Sequence, residues 1–305
     1  MNPTLSSRWL LSTLTALLVA AMACGGTTPG TTTQLPPITI AGFNFPESSI
    51  LAQVYGQALA HSGITVSYKL NLGTREVLVP AMKSGQVDLY PGYAASDLEF
   101  YNNKKGEATG DSAATTAKLN TYLQPLGLIA LTPSAAVDQN AFAVTKDFAT
   151  KNNLTKISDL APLAGQLVLG AGPECPTRPY CLPGLQSVYG LHFKDFKALD
   201  TDGPATRAAF KSGAIQVGLV FSSDGDLNQL GLVVLQDDKH LEAADNVVPI
   251  LRSAVANDEV KGILNNIDAK LTTADLVTMN QQVSLLHQDA DAVATAYLQK
   301  HNYFS

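Results

Sequence analysis

The sequence predicts an α/β fold of two lobes, each a mainly parallel sheet flanked by helices, and three observations carry that expectation. From Ile38 onward, short apolar strands alternate with helical segments. A helix-then-strand unit between Ala81 and Leu89 is echoed between Ala209 and Leu219. The stretch from Asn257 to Tyr303 is helical in composition and has no strand of its own. Strands that alternate with helices pair in parallel, because each helix carries the chain back across a sheet face to where the next strand starts.

Ile38-Thr39-Ile40-Ala41 is short and apolar and reads as the first strand. Glu47 to His61 follows as a helix that Gly63 ends, and Val66 to Leu70 as the second strand. Gly73-Thr74 opens a second helix reaching Lys83, where Ser84-Gly85 stops it, and Val87-Asp88-Leu89-Tyr90 extends again. In both copies of the echo an aromatic stands just past the strand: Tyr90 and Tyr93 in one, Phe221 in the other. Open α/β sheets bind ligands beyond the carboxyl ends of their strands, so these rings are expected at a cleft between the lobes. On this reading residues 38–136 begin lobe 1, 137–241 form lobe 2, and 242–305 return to lobe 1 as its helical tail.

The 305 residues are 46% hydrophobic, enough for packed cores, while the net charge is −6 and no run of Lys or Arg could track a phosphate backbone. Nucleic acid is therefore not an expected partner. Arg8 followed by the apolar Leu10 to Met22 reads as a signal peptide over residues 1–23, too short to span a bilayer. Two processing readings stand: Ala21-Met22-Ala23 suits A-x-A cleavage, and Cys24-Gly25-Gly26 resembles a lipoprotein signal. We take lipidation of Cys24, with residues 24–37, rich in Gly, Thr and Pro, as a flexible tether of roughly 20 Å. In an oxidising compartment Cys175 and Cys181 are expected to form a disulfide.

Enzyme signatures are missing from the sequence. His61, His192, His240, His287 and His301 are scattered without metal-ligand spacing, and no G-x-S-x-G, P-loop or G-x-G-x-x-G occurs. Neither catalysis, metal nor cofactor is expected.

Several segments resemble one family: I-A-G-F-N-F-P-E from Ile40 to Glu47, L-N-L-G-T from Leu70 to Thr74, and V-D-L-Y-P-G-Y from Val87 to Tyr93. Leu182-Pro183-Gly184-Leu185, Ser222-Ser223-Asp224-Gly225 and Leu235 to His240 follow in the same order. Together they are similar to the osmoprotectant-binding proteins of ABC importers, receptors for glycine betaine, choline and carnitine. The resemblance implies a type II periplasmic-binding-protein fold whose lobes, joined by two crossover strands, close on the solute. It further implies an extracytoplasmic, lipid-anchored monomer that serves a permease and an ATPase and does no chemistry. A solute-sensing receptor domain is the alternative from another class, and a secreted hydrolase a more distant one.

A quaternary ammonium donates no conventional hydrogen bond, so its recognition falls to aromatic faces and negative potential. By resemblance, Tyr93 and Phe221 stand at cage positions, Asp138 beside the cation, Ser96 near the ligand, and Arg178 where a ligand carboxylate is gripped. The alternative for Arg178 is to brace the disulfide loop. Departures are also present: Asn140 and Asp245 fall where cage aromatics are expected, Phe43 replaces a lysine and Ser48 a glutamine. At ~0.5–2 kcal/mol per ring, two missing aromatics would cost roughly one to three orders of magnitude in affinity for a quaternary amine. Asp138 and Asp245 suit a cation with N–H donors, so a cationic amino acid or other polar amine is the second ligand class. A small shift of alignment would bring Tyr189 or Tyr101 into the cage. Tyr90 otherwise reads as a core residue, Tyr101 as a rim residue, and Asp224 before Gly225 as a turn or cap.

Overall fold

The computed structural model describes residues 36–200 and 202–304. The expected signal peptide, Cys24 and residues 25–35 of the expected tether lie outside the described residues.

In chain order the elements are β1 (Ile38–Ala41), α1 (Pro46–His61), β2 (Val66–Lys69), α2 (Arg75–Lys83), β3 (Leu89–Tyr93), α3 (Ala94–Tyr101), α4 (Ser112–Leu123) and β4 (Leu128–Ala130). There follow β5 (Asn140–Thr145), α5 (Lys146–Asn152), β6 (Val168–Ala171), α6 (Leu182–Tyr189), β7 (Asp195–Ala198), α7 (Pro204–Lys211), β8 (Val217–Phe221) and β9 (Leu232–Leu235). The chain ends with β10 (Val247–Arg252), α8 (Asp258–Asp268), α9 (Thr273–Ser284) and α10 (Ala290–Lys300).

Two five-stranded sheets result, ordered β2-β1-β3-β10-β4 and β7-β6-β8-β5-β9. They have the same plan, and β3 and β8, the strands of the echoed unit, are the middle strand of each. Both units turn at a glycine in the left-handed region, Gly85 at φ +76° and Gly213 at φ +71°.

The sheets are mixed, where the alternation of elements suggests mainly parallel ones. In each, two strand pairs are parallel and two antiparallel. The cause is the double crossing of the chain. The crossing segments pair with each other, through an antiparallel bridge of Val137 with Asn246 and an Asp138 N–H that donates to Asp245 O at 3.1 Å. Each feeds a strand that starts at the crossing and runs away from it. Those strands, β5 and β10, must therefore oppose β8 and β3, which end there: Asn140 is in register with Phe221, and Val247 with Tyr93. The same pairing carries β3 three residues beyond Tyr90, because β10 lies alongside Pro91, Gly92 and Tyr93.

Cores fill both lobes. In the first, α1 is buried along most of its length, with Ile50, Leu51, Tyr55 and Leu59 fully enclosed, and α10 lies against it. Gly56 permits close approach, since a Cβ there would stand 2.3 Å from the Tyr68 hydroxyl. In the second, Phe142, Leu169, Leu185 and Val217 fill one side of the sheet, and Phe210, Ile215 and Val220 a smaller cluster on the other. Full burial of such side chains stabilises by about 1.5–3 kcal/mol each, which fixes the strand ends that frame the cleft.

Candidate ligand-binding cleft

Where the chain crosses between lobes, the ends of β3 and β8 meet the turn after β1, the start of α2 and the loop before α6. Together they line a cleft of about 840 Å³, part of it open to solvent. Small-molecule sites commonly fall at roughly 300–1,000 Å³.

One wall is aromatic. Phe43 and Phe45, in the turn between β1 and α1, have ring centres 5.9 Å apart, and Tyr93 lies 6.5 Å from Phe43 and 6.0 Å from Phe45. Phe221 of the second lobe meets Phe45 of the first at 5.1 Å, so these two rings join the lobes. Tyr180 adds another ring from the loop closed by the disulfide between Cys175 and Cys181.

Two arginines also line the cleft. Arg75, at the start of α2, donates from Nε to Asp97 Oδ1 at 2.8 Å. Asp97 is fixed in turn by the Tyr93 N–H and the Tyr90 hydroxyl. Burial works against the Arg75 charge, but Asp97 outweighs it and holds the guanidinium above its usual pKa. Arg178 donates from Nη2 to Glu76 Oε1 at 3.0 Å and lies 5.2 Å from the Phe100 ring centre, both partners belonging to the first lobe. Burial, then the positive charge of Arg75, depress the Arg178 pKa. Two guanidinium groups that repel each other at a cleft wall suit a bound carboxylate.

Carboxylates stand near the crossing. Asp245 accepts from Ser96 N–H at 3.0 Å and from Ser96 Oγ at 2.6 Å, which caps the start of α3. Burial pushes its pKa up to about 6, against the pull of Arg75 and of the Ser96 bonds. Asp138 is 4% exposed and is pushed well above the carboxylate range by burial and then by the charge of Glu47.

Tyr93, Phe221, Asp138, Ser96 and Asp245 thus line this cleft, and so do Phe43, Asn140 and Arg178. Ser48 does not. It points inward from α1, fully buried, and its Oγ accepts from the Phe43 N–H at 2.8 Å, so it shapes the turn beneath the ring. Asn140 presents no ring but donates from Nδ2 to Tyr180 O at 3.0 Å, which fixes the loop bearing Tyr180. Tyr189 and Tyr101 lie elsewhere: Tyr189 is hydrogen-bonded to Asp237, and the Tyr101 hydroxyl is 3.4 Å from that of Tyr90, a fully buried core residue. Asp224 pairs with Arg207 at 3.2 Å in an adjoining space rather than in the cleft.

Sequence reasoning missed Phe45, Tyr180 and Arg75 as cleft residues and Glu47 behind them. Phe45 had an available signal, as the second ring of the F-N-F run just past the first strand.

Residues 36–300 match the model of a family described as the substrate binding domain of ABC-type glycine betaine transport systems. The chain belongs to this family. Among curated relatives, the glycine betaine-binding protein YehZ of Escherichia coli is 26% identical over 278 residues, 88% of this chain and 91% of the relative. A glycine-betaine-binding protein of Pseudomonas aeruginosa is 27% identical over 292 residues, 92% of this chain and 93% of the relative. A solved structure described as a glycine betaine/carnitine/choline ABC transporter superposes with a TM-score of 0.67 at 23% identity, covering 88% of this chain and all of that one. This glycine betaine-type substrate-binding domain thus has the two-lobed type II periplasmic-binding-protein fold. Among its described residues no helix is long and apolar enough to cross a membrane.

Proposed function

We propose that the protein captures a small zwitterion with a methylated ammonium head, glycine betaine being the simplest, and delivers it to the permease and ATPase of an ABC importer. The observation that carries this reading is the contact between Phe45 and Phe221, one ring from each lobe. With Tyr180 it offers π-faces to a cation, with Tyr93 packed behind Phe45 and Asp138 close by. Arg75 and Arg178 stand at the cleft for the carboxylate end. Relatives that bind glycine betaine support the same assignment. In this reading the protein works without catalysis, as a monomer on the outer side of the membrane, tethered by a lipid on Cys24.

A second ligand class has its own support. Asp138 and Asp245 offer acceptors that a quaternary ammonium cannot use but a primary amine or guanidinium can. A thermal-shift panel of glycine betaine, choline, carnitine, ergothioneine, arginine and proline separates the two. A solute at 100 times its Kd stabilises by about 2.7 kcal/mol. A shift with glycine betaine or carnitine larger than with choline supports both the aromatic wall and the arginine pair. A shift with arginine alone moves the assignment to the second class.

A further inference from the structure

Behind the aromatic wall a chain of hydrogen bonds joins the lobes. Glu47, in the first turn of α1, accepts at Oε1 from the Tyr93 hydroxyl at 2.8 Å and at Oε2 from Asn280 Nδ2 of α9 at 2.7 Å. Ser223, just past β8 in the second lobe, places its Oγ 2.6 Å from Glu47 Oε2 and 2.9 Å from Asp138 Oδ1. All four of Glu47, Ser223, Asp138 and Asn280 are buried.

A serine hydroxyl has one proton to donate. Flanked at these distances by oxygens of two carboxyl groups, it can bond both only if one of them carries a proton of its own. The arrangement that leaves Glu47 ionised for the two donors it already faces, Tyr93 and Asn280, runs from a protonated Asp138 Oδ1 to Ser223 Oγ, and from the Ser223 hydroxyl to Glu47 Oε2. Asn280 does not change this count: its second amide N–H, with Nδ2 3.3 Å from both Ser223 Oγ and Ser223 O, adds a donor at the serine but leaves the serine's one proton to serve a single carboxyl oxygen. Two buried carboxyl groups this close do not both ionise, which is the like-charge logic of paired acids.

Resting on the reading of the cleft as a cation receptor, we propose that the Glu47–Asp138 pair holds one proton in the absence of solute and releases it when a cationic solute enters. Asp138 lines the cleft with Tyr93, Phe45 and Phe221, so a positive charge seated there stabilises the doubly ionised pair. The exchange balances: protonated protein plus cation gives the complex plus one proton, which passes to solvent. Capture of the solute is thereby in competition with protons.

Burial raises both carboxyl groups above their ordinary range, with the negative charge of Glu47 a further cause at Asp138. Other charged groups face the pair. Tyr93 of β3 is held neutral by burial and by Glu47, and Asp245 of the crossing segment adds to the rise at Asp138. Arg75 of α2 acts on Tyr93 and Asp245. Asp202, Arg207 of α7 and Asp224 share the adjoining space that Glu47 lines.

The test is titration calorimetry of the whole chain with glycine betaine in phosphate and in Tris, whose different ionisation heats count the protons exchanged, repeated from pH 5 to pH 9. A quaternary ammonium has no proton to lose, so any released proton comes from the protein. The wild type is expected to release close to one proton per solute at the acid end, with Kd weakening up to tenfold per pH unit there. Asp138→Asn is expected to abolish both effects, and Asp291→Asn, at an exposed position of α10 outside the cleft, to keep them. Binding by the wild type with no proton release overturns the inference and leaves the cleft assignment standing; this holds even if a variant fails to fold. Release that persists in Asp138→Asn also overturns it. Absence of binding by glycine betaine and by every other solute of the panel overturns the cation-receptor reading and the inference with it.

Discussion

Arg75 lies with its guanidinium carbon 5.0 Å from the ring centre of Phe43, so a cation of the protein's own already covers one face of the aromatic wall. It also lies 6.0 Å from the centre of Tyr93. The rings left to a solute are then chiefly Phe45, Phe221 and Tyr180. Under the proposed function Arg75 consequently has two separable tasks, holding the wall and offering charge to a carboxylate.

Removing it should be costly. Asp97 is fully buried, and Arg75→Ala leaves its carboxylate without its ionic partner. Loss of one partner of a buried pair typically costs about 3–5 kcal/mol, reduced here by the two hydrogen bonds from Tyr90 and Tyr93 that Asp97 keeps. Urea unfolding is expected to show a loss of at least about 2 kcal/mol for Arg75→Ala and clearly less for Arg75→Lys, which keeps the charge. Equal losses would show that the ion pair contributes little.

Phe45 and Phe221 are expected to behave as one unit. Both are half-buried, so truncation should affect stability little, whereas each ring over a cation contributes ~0.5–2 kcal/mol to binding. Phe45→Ala and Phe221→Ala should each raise the glycine betaine Kd by roughly two- to thirtyfold. Because the rings touch, the double variant should lose less than the sum of the two. Strict additivity in the double-mutant cycle would place them in separate environments.

The parts of this site that are legible in the sequence share one property: they are tied to a repeated local unit. Tyr93 and Phe221 follow the same helix, glycine and strand, and the fold makes those strands equivalent. Phe45 follows no repeat, and the partner of Arg75 is 22 positions away, so both depend on tertiary placement. Asn140 shows the limit of matching position to position. It has no ring, yet its amide fixes the loop that supplies Tyr180, so an aromatic is delivered from another part of the chain. Ser48 shows the converse, because a matching position on α1 does not reveal that the side chain turns inward. Strand direction after a crossing is likewise set by where the strand begins, which alternation of elements does not encode.

Arg178 bridges the lobes through Glu76, and this contact should act on closure rather than on folding. Glu76 has a half-exposed side chain, and solvent screens such a pair, limiting it to roughly 0.2–1 kcal/mol. Glu76→Gln is therefore expected to change solute affinity by no more than about fivefold, with no shift in the unfolding midpoint of the solute-free protein. The difference from wild type should shrink between 50 mM and 500 mM salt as screening rises. An effect on affinity that is independent of salt would argue against the ion pair as its source.

Asp245 gives a pH dependence whose sign can be stated. Its folded pKa is raised to about 6 by burial, despite the opposing pull of Arg75 and the Ser96 bonds, whereas an aspartate in the unfolded chain titrates near 3.9. The folded state therefore binds the extra proton between those values, so the contribution of this group is full below about pH 4 and is lost as pH rises through about 6. Asp245→Asn mimics the neutral form and keeps the geometry, with Oδ1 able to accept from the Ser96 N–H and Nδ2 able to donate to Ser96 Oγ. The variant should be more stable than wild type at pH 7 by on the order of 2 kcal/mol, with the gap closing toward pH 4. Thermal unfolding of both proteins across that range provides the measurement. A gap that stays constant, or that widens on acidification, would mean that Asp245 is ionised in the folded protein well below pH 6.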